Sequence, residues 1–115
     1  MISSALLNRL LEFRHERDWE QFHTVRNLSA AICVESAELL DHFRWASDPE
    51  ITKIIDEHRS AIEEEVADIS IFLSYLCHDL GISIEDIISK KLELNRAKYP
   101  INKAKGIATK YNRLK

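Results

Sequence analysis

The chain has 115 residues, 45% hydrophobic and 30% charged, a length and balance that fit one soluble domain. Two Gly and two Pro are too few turn-formers for a many-stranded sandwich or barrel, and the composition excludes collagen-like and most disordered chains. A net charge of −3 argues against a nucleic-acid binder that works through bulk positive charge.

Residues 3–17 carry Leu6, Leu7, Leu10 and Leu11 at helical spacing, and Ser3 or Ser4 suits the N-cap. Asp18 to Arg26 (DWEQFHTVR) loses the period and reads as an aromatic loop. A second helix is expected from Asn27 to Trp45, with Leu28, Ile32, Leu39 and Phe43 on one face. Ser47-Asp48-Pro49 breaks the chain, because Pro lacks an amide donor. A long helix follows over 51–80, its first turns separable, ended by Gly81 at C′. A fourth is expected over 83–99, opened by Ser83 and stopped by Pro100, and residues 101–115 form a basic, polar tail. The expected fold is one all-α, four-helix bundle-like domain over 1–115, which dimerises to complete its core.

Cys33 and Cys77 sit in apolar stretches and read as reduced core residues, too few for a disulfide framework or a zinc site. The N-terminus has no basic region followed by an apolar core, so no signal peptide is expected. The longest nearly apolar run, Ile69–Cys77, is far short of the ~20 residues of a membrane helix. A cytoplasmic protein without membrane or nucleic-acid partners is the expectation.

Charge is unevenly spread. Residues 90–115 hold nine of the 16 Lys and Arg and one acid, Glu93, whereas residues 50–68 hold seven acids against Lys53 and Arg59. Such a split suits a partner that carries both a cation and anionic groups. Two acid pairs have i, i+3 spacing: Glu35 with Glu38, and Glu65 with Asp68. At 100° per residue, Glu65 falls among Ala61, Ile62, Ile69, Phe72 and Leu76, and Asp68 stands at the edge of that arc. Glu35 likewise falls among Leu28, Ile32 and Leu39, with Glu38 off to the side. Two readings are open: ordinary helix acids paired with Lys or Arg, or carboxylates turned inward that need a cation. Hard oxygen donors without His or Cys suit Mg²⁺ or Mn²⁺, and Mg²⁺ in turn takes phosphate oxygens from a nucleotide or other polyphosphate.

The runs RDWEQFHTVRNLSAAICVESAELLDHFRW, EEEVADISIFLSYL and KLELNRAKYP resemble, in that order, the MazG-like all-α nucleoside triphosphate pyrophosphohydrolases, and most closely their dCTP pyrophosphatase branch. The resemblance implies Mg²⁺-dependent hydrolysis between the α and β phosphates, giving a nucleoside monophosphate and pyrophosphate in the service of nucleotide house-cleaning. It implies that Glu35, Glu38, Glu65 and Asp68 hold the metal, and that the protein is a homodimer or a dimer of dimers. Glu38, at the edge of its arc, is the residue expected to help deprotonate the attacking water. Lys91, Asn95 and Lys98, at i, i+4 and i+7, match positions that contact phosphates, and the tail lysines Lys103, Lys105 and Lys110 are placed to close over them. Trp19, Trp45 and Phe72 are expected to border the nucleobase, since aromatic faces stack on any base. Phe72 stands where close relatives usually carry Tyr, and Leu10 where some carry His. A pocket without those polar groups discriminates less sharply among bases.

Other constellations fail on geometry. Glu12-x-x-His15 and Glu20-x-x-His23 lie eight residues apart, not on facing helices as a di-iron bundle requires. There is no H-E-x-x-H and no Gly-rich phosphate loop. The rival to an enzyme is a catalytically silent helical dimerisation or nucleotide-binding module that keeps the fold.

Overall fold

The computed structural model describes residues 2–115. Those residues form helices, single 3₁₀ turns and connecting segments, with no strand among them. They divide into two compact units, residues 2–81 and residues 82–115.

In the first unit, α1 (Ser4–Glu16) starts at Ser3, whose Oγ accepts a hydrogen bond from the Leu6 amide at 3.1 Å. The chain leaves α1 through Asp18, which has a φ of 53°, a left-handed conformation that Asp tolerates better than most residues. A 3₁₀ turn, Glu20–Phe22, completes the aromatic loop. Helix α2 (Val25–Asp41) begins before the expected Asn27 because Thr24 takes the cap. Thr24 Oγ1 accepts from the Asn27 amide at 3.1 Å, and the Asn27 side chain donates to the Phe22 carbonyl at 2.9 Å.

The expected extension of α2 to Trp45 does not occur. After Asp41 the chain tightens into i→i+3 turns, with the Phe43 amide on the Leu40 carbonyl at 2.9 Å and the Ala46 amide on the Phe43 carbonyl at 3.0 Å. Trp45 therefore stands beyond the helix, 84% exposed. The expected helix over 51–80 has its first turns set apart, as read from the sequence: α3 (Ile51–Glu57) precedes α4 (Arg59–Leu80). The break falls at His58 (φ −106°, ψ 16°), where neither Pro nor Gly stands. Gly81 ends α4 at φ 66°, a conformation costly for any residue with a Cβ.

Helix α2 lies along α4, and α1 and α3 meet α4 over shorter stretches. Leu28 and Tyr75 are the buried hydrophobic side chains among the described residues, joined by the buried polar groups Arg14 and Ser74. Cys77 is half-buried, but Cys33 is exposed, which corrects its reading as a core residue. An apolar neighbourhood in sequence does not fix which side of a helix faces in, and α2 also exposes Val34 and Leu40.

In the second unit, Ser83 caps α5 (Ile84–Lys98) through the Asp86 amide at 3.5 Å. Pro100 leads into a single turn, α6 (Ile101–Ala104), and a 3₁₀ turn at Tyr111–Arg113 follows. The tail is anchored on α5: the Tyr111 ring lies 6.2 Å from that of Tyr99 and beneath Lys98 Nζ at 4.6 Å. Among the described residues, no single helix is long and apolar enough to cross a membrane.

Candidate metal centre

The packing of α2 along α4 brings the two acid pairs to one place. Glu35, Glu38 and Glu65 each offer a carboxylate oxygen, and these oxygens lie within 4.8 Å of one another. Glu35 and Glu65 are half-buried and Glu38 is exposed, the order in which the helix arcs set them. Asp68, the fourth expected ligand, is half-buried beside the trio and outside it. Its charge still reaches both Glu35 and Glu65.

Glu35 Oε2 and Glu65 Oε2 are shielded from water and have no hydrogen-bond partner. Burial pushes the Glu35 carboxyl above its usual range, and Glu38, then Asp68 and Glu65, push it further. Burial also raises Glu65, followed by the charge of Glu38, while His42 opposes the shift. Among the described residues no Lys or Arg forms an ion pair with any of the four acids. The nearest nitrogen that can pair with them is that of His42, whose Nε2 lies 4.0 Å from Glu65 Oε1. Shielded carboxylate oxygens gathered in this way repel one another and lack donors. An oxygen-seeking divalent cation answers both deficits, so the donor set fits Mg²⁺ or Mn²⁺. A cleft of about 300 Å³ beside the trio is lined by Glu38, Asp41, His42, His58 and Glu65.

Further along α4 the surroundings turn aromatic. Phe72 follows Asp68 by one helical turn. Its ring lies 6.4 Å from that of His23, which is tilted over Tyr75 at 5.1 Å and stands 6.5 Å from Trp19. Trp19 in turn meets Phe13 edge-on at 5.7 Å. Two expected base contacts, Trp19 and Phe72, thus belong to one aromatic cluster joined through His23. The spacing of the sequence gave no reason to single out His23. Its Nδ1 is shielded from water and unpartnered, and burial, then the charge of Arg14, lowers its pKa. Trp45 makes no ring contact with this cluster and instead lies under the Arg44 guanidinium at 4.4 Å.

Beneath the aromatics lies a second polar group that the sequence did not reveal. Arg14, 5% exposed, donates two hydrogen bonds of 2.9 Å to Asp79 and stacks on Tyr75 at 4.6 Å. The Tyr75 hydroxyl donates to the Leu10 carbonyl at 2.8 Å, and the Trp19 amide to the Arg14 carbonyl at 3.1 Å. Arg14 and Asp79 therefore fix the end of α1 from which the Trp19 loop departs. In the second unit, Lys91, Asn95 and Lys98 share one face of α5 by their spacing.

The sequence profile of the MazG-like family matches residues 30–114. Mouse dCTP pyrophosphatase 1 is 38% identical over 105 residues, which cover 90% of this chain and 62% of the relative. The human protein of that name is 36% identical over the same span. The chain thus spans less than two thirds of the length of these curated relatives. A crystal structure of a pyrophosphatase from Archaeoglobus fulgidus superposes with a TM-score of 0.81 at 39% identity, covering 84% of this chain and 90% of that one.

Proposed function

The chain belongs to the MazG-like family, and from that premise we propose that it is a Mg²⁺-dependent (deoxy)nucleoside triphosphate pyrophosphohydrolase. It opens the α–β phosphoanhydride with water, releasing a nucleoside monophosphate and pyrophosphate, and a dCTP-like nucleotide is its favoured substrate. Both the curated relatives and the structural neighbour bear pyrophosphatase names, which supports this reaction class. The observation that carries the reading is the pair of water-shielded, unpartnered oxygens, Glu35 Oε2 and Glu65 Oε2, converging with Glu38.

Glu35, Glu38, Glu65 and Asp68 hold Mg²⁺, with Mn²⁺ as a substitute. Bound there, the cation neutralises the triphosphate and orients the attacking water. Glu38, the exposed member of the trio, takes the proton from that water. Trp19 and Phe72 present aromatic faces to the base, with Trp45 as a further contact. Lys91, Asn95 and Lys98 bind phosphate oxygens from one face of α5. Residues 1–115 act as one catalytic domain in the cytoplasm, removing surplus or noncanonical nucleotides.

The protein works as a homodimer or a dimer of dimers. Val34 (55% exposed), Leu40 (63%) and Trp45 (84%) leave apolar surface along α2 and just past it, and large exposed apolar patches mark interaction surfaces.

The test is incubation with each deoxynucleoside triphosphate and Mg²⁺, with separate assays for pyrophosphate and orthophosphate. One pyrophosphate per nucleotide consumed is expected. Orthophosphate in its place overturns α–β cleavage, and no product from any nucleotide favours the silent module.

A further inference from the structure

We infer that His42 and His58 form a second cation seat, built from two imidazoles, for a borderline transition ion of the Zn²⁺, Ni²⁺ or Co²⁺ class. Both residues lie in the first unit. His42 is in the turn after α2, and His58 is the residue at which α3 gives way to α4. Their Nδ1 atoms lie 3.1 Å apart in a hydrogen bond in which one ring donates to the other, with ring centroids 5.3 Å apart. With metal–nitrogen bonds of about 2.0–2.1 Å, that separation subtends roughly 95–100° at a shared ion, between octahedral and tetrahedral angles. An ion seated there takes the place of the shared proton, and the rings turn so that both lone pairs reach it.

The other edge of His42 looks towards the trio: its Nε2 lies 4.0 Å from Glu65 Oε1, too far for a hydrogen bond, so Glu65 stays free for the oxygen-seeking cation. The remaining coordination positions open into the cleft of about 300 Å³ shared with Asp41 and Glu38, which has room for water.

Donor chemistry separates this seat from the carboxylate trio. Mg²⁺ prefers oxygen and keeps its waters, whereas imidazole suits Zn²⁺, Ni²⁺ and Co²⁺. The seat does not depend on the hydrolase reading, because its occupancy is measured without turnover. An ion held there ties the turn after α2 to the α3–α4 junction, so binding also raises Tm.

The experiment is calorimetric titration of Ni²⁺ into the full chain under excess Mg²⁺, which saturates the trio. One Ni²⁺ per chain is expected. His42→Gln and His58→Gln should each weaken it by about tenfold or more and abolish the Ni²⁺-induced rise in Tm, while Glu35→Gln leaves both unchanged. Absence of Ni²⁺ binding by the unaltered chain overturns the inference. So does Ni²⁺ affinity unchanged in both His variants, or lost in Glu35→Gln. Should either His variant fold poorly, the Co²⁺ adduct of the unaltered chain decides. A visible spectrum of nitrogen coordination is expected, and an all-oxygen octahedral spectrum overturns the seat.

Discussion

Two polar clusters lie in the helical unit of residues 2–81 and are built on opposite plans. At one, Arg14 and Asp79 meet through two 2.9 Å hydrogen bonds, and only Arg14 Nε goes without a partner. The hydrogen bonds and charge of Arg14 hold the Asp79 carboxyl below its usual range, and Asp79 in turn raises Arg14. At the other, like meets like: Glu35, Glu38 and Glu65 converge without Lys or Arg, and two of them are raised. The first cluster is complete within the protein and serves the fold. The second is unbalanced until something positive joins it, as expected of a binding site. Polarity in a helical interface is therefore not informative alone; whether its charges cancel is.

Three substitutions test this contrast, in falling order of effect. Glu38→Gln should lower kcat by about 10²–10⁴-fold, the usual worth of a general base, while Mg²⁺ affinity measured by calorimetry is largely kept. Normal turnover in that variant removes the role. Asp79→Ala should cost about 2–4 kcal/mol by denaturant midpoint, because it strands a buried guanidinium. It should leave Mg²⁺ affinity alone, and Arg14→Met combined with Asp79→Leu should recover much of the loss. Glu35→Gln should do the reverse, raising the Tm of the metal-free protein by on the order of 5 °C and abolishing the Mg²⁺-induced shift.

That last variant also carries a pH signature. Glu35 and Glu65 titrate above 4.5 in the folded state, so the folded protein binds more protons than the unfolded chain between 4.5 and the raised values. Metal-free stability therefore falls as pH rises through that window, and Glu35→Gln should flatten the fall. Asp79 acts in the opposite sense. Its folded pKa lies below 3.8, so its stabilisation is present above 3.8 and is lost as pH falls through the folded value.

Helical phase alone was enough to turn Glu35 and Glu65 inward and leave Glu38 at the rim, because the arc of a helix is a local property. Capping was legible at Ser3 and Ser83 and misjudged at Thr24, which caps α2 three residues before the expected Asn27, whose own side chain turns back to the Phe22 carbonyl. What the sequence hid are pairings across long separations. Arg14 and Asp79 stand 65 residues apart, and His42 and His58 stand 16 apart across a turn and a short helix. No period links such residues, so only the docking of α2 and α1 on α4 shows them. The separation of the first turns of 51–80 was legible, but not its place at His58, where neither Pro nor Gly stands. Cys33 was misplaced for a related reason: a helix apolar on more than one side gives no unique inward direction.

The acids reach one another only because two rigid rods, α2 and α4, present them in phase. Each residue added to a rod rotates everything beyond it by about 100° and advances it by about 1.5 Å. A single-residue insertion between Glu35 and Glu38 would swing one of them off the shared face, although every side chain named here would still be present. The same insertion among residues 46–50, between the turn after α2 and the start of α3, would disturb neither rod. Changes in chain length should therefore be tolerated at that connection and rejected within the two acid-bearing helices, whatever nucleotide the protein meets.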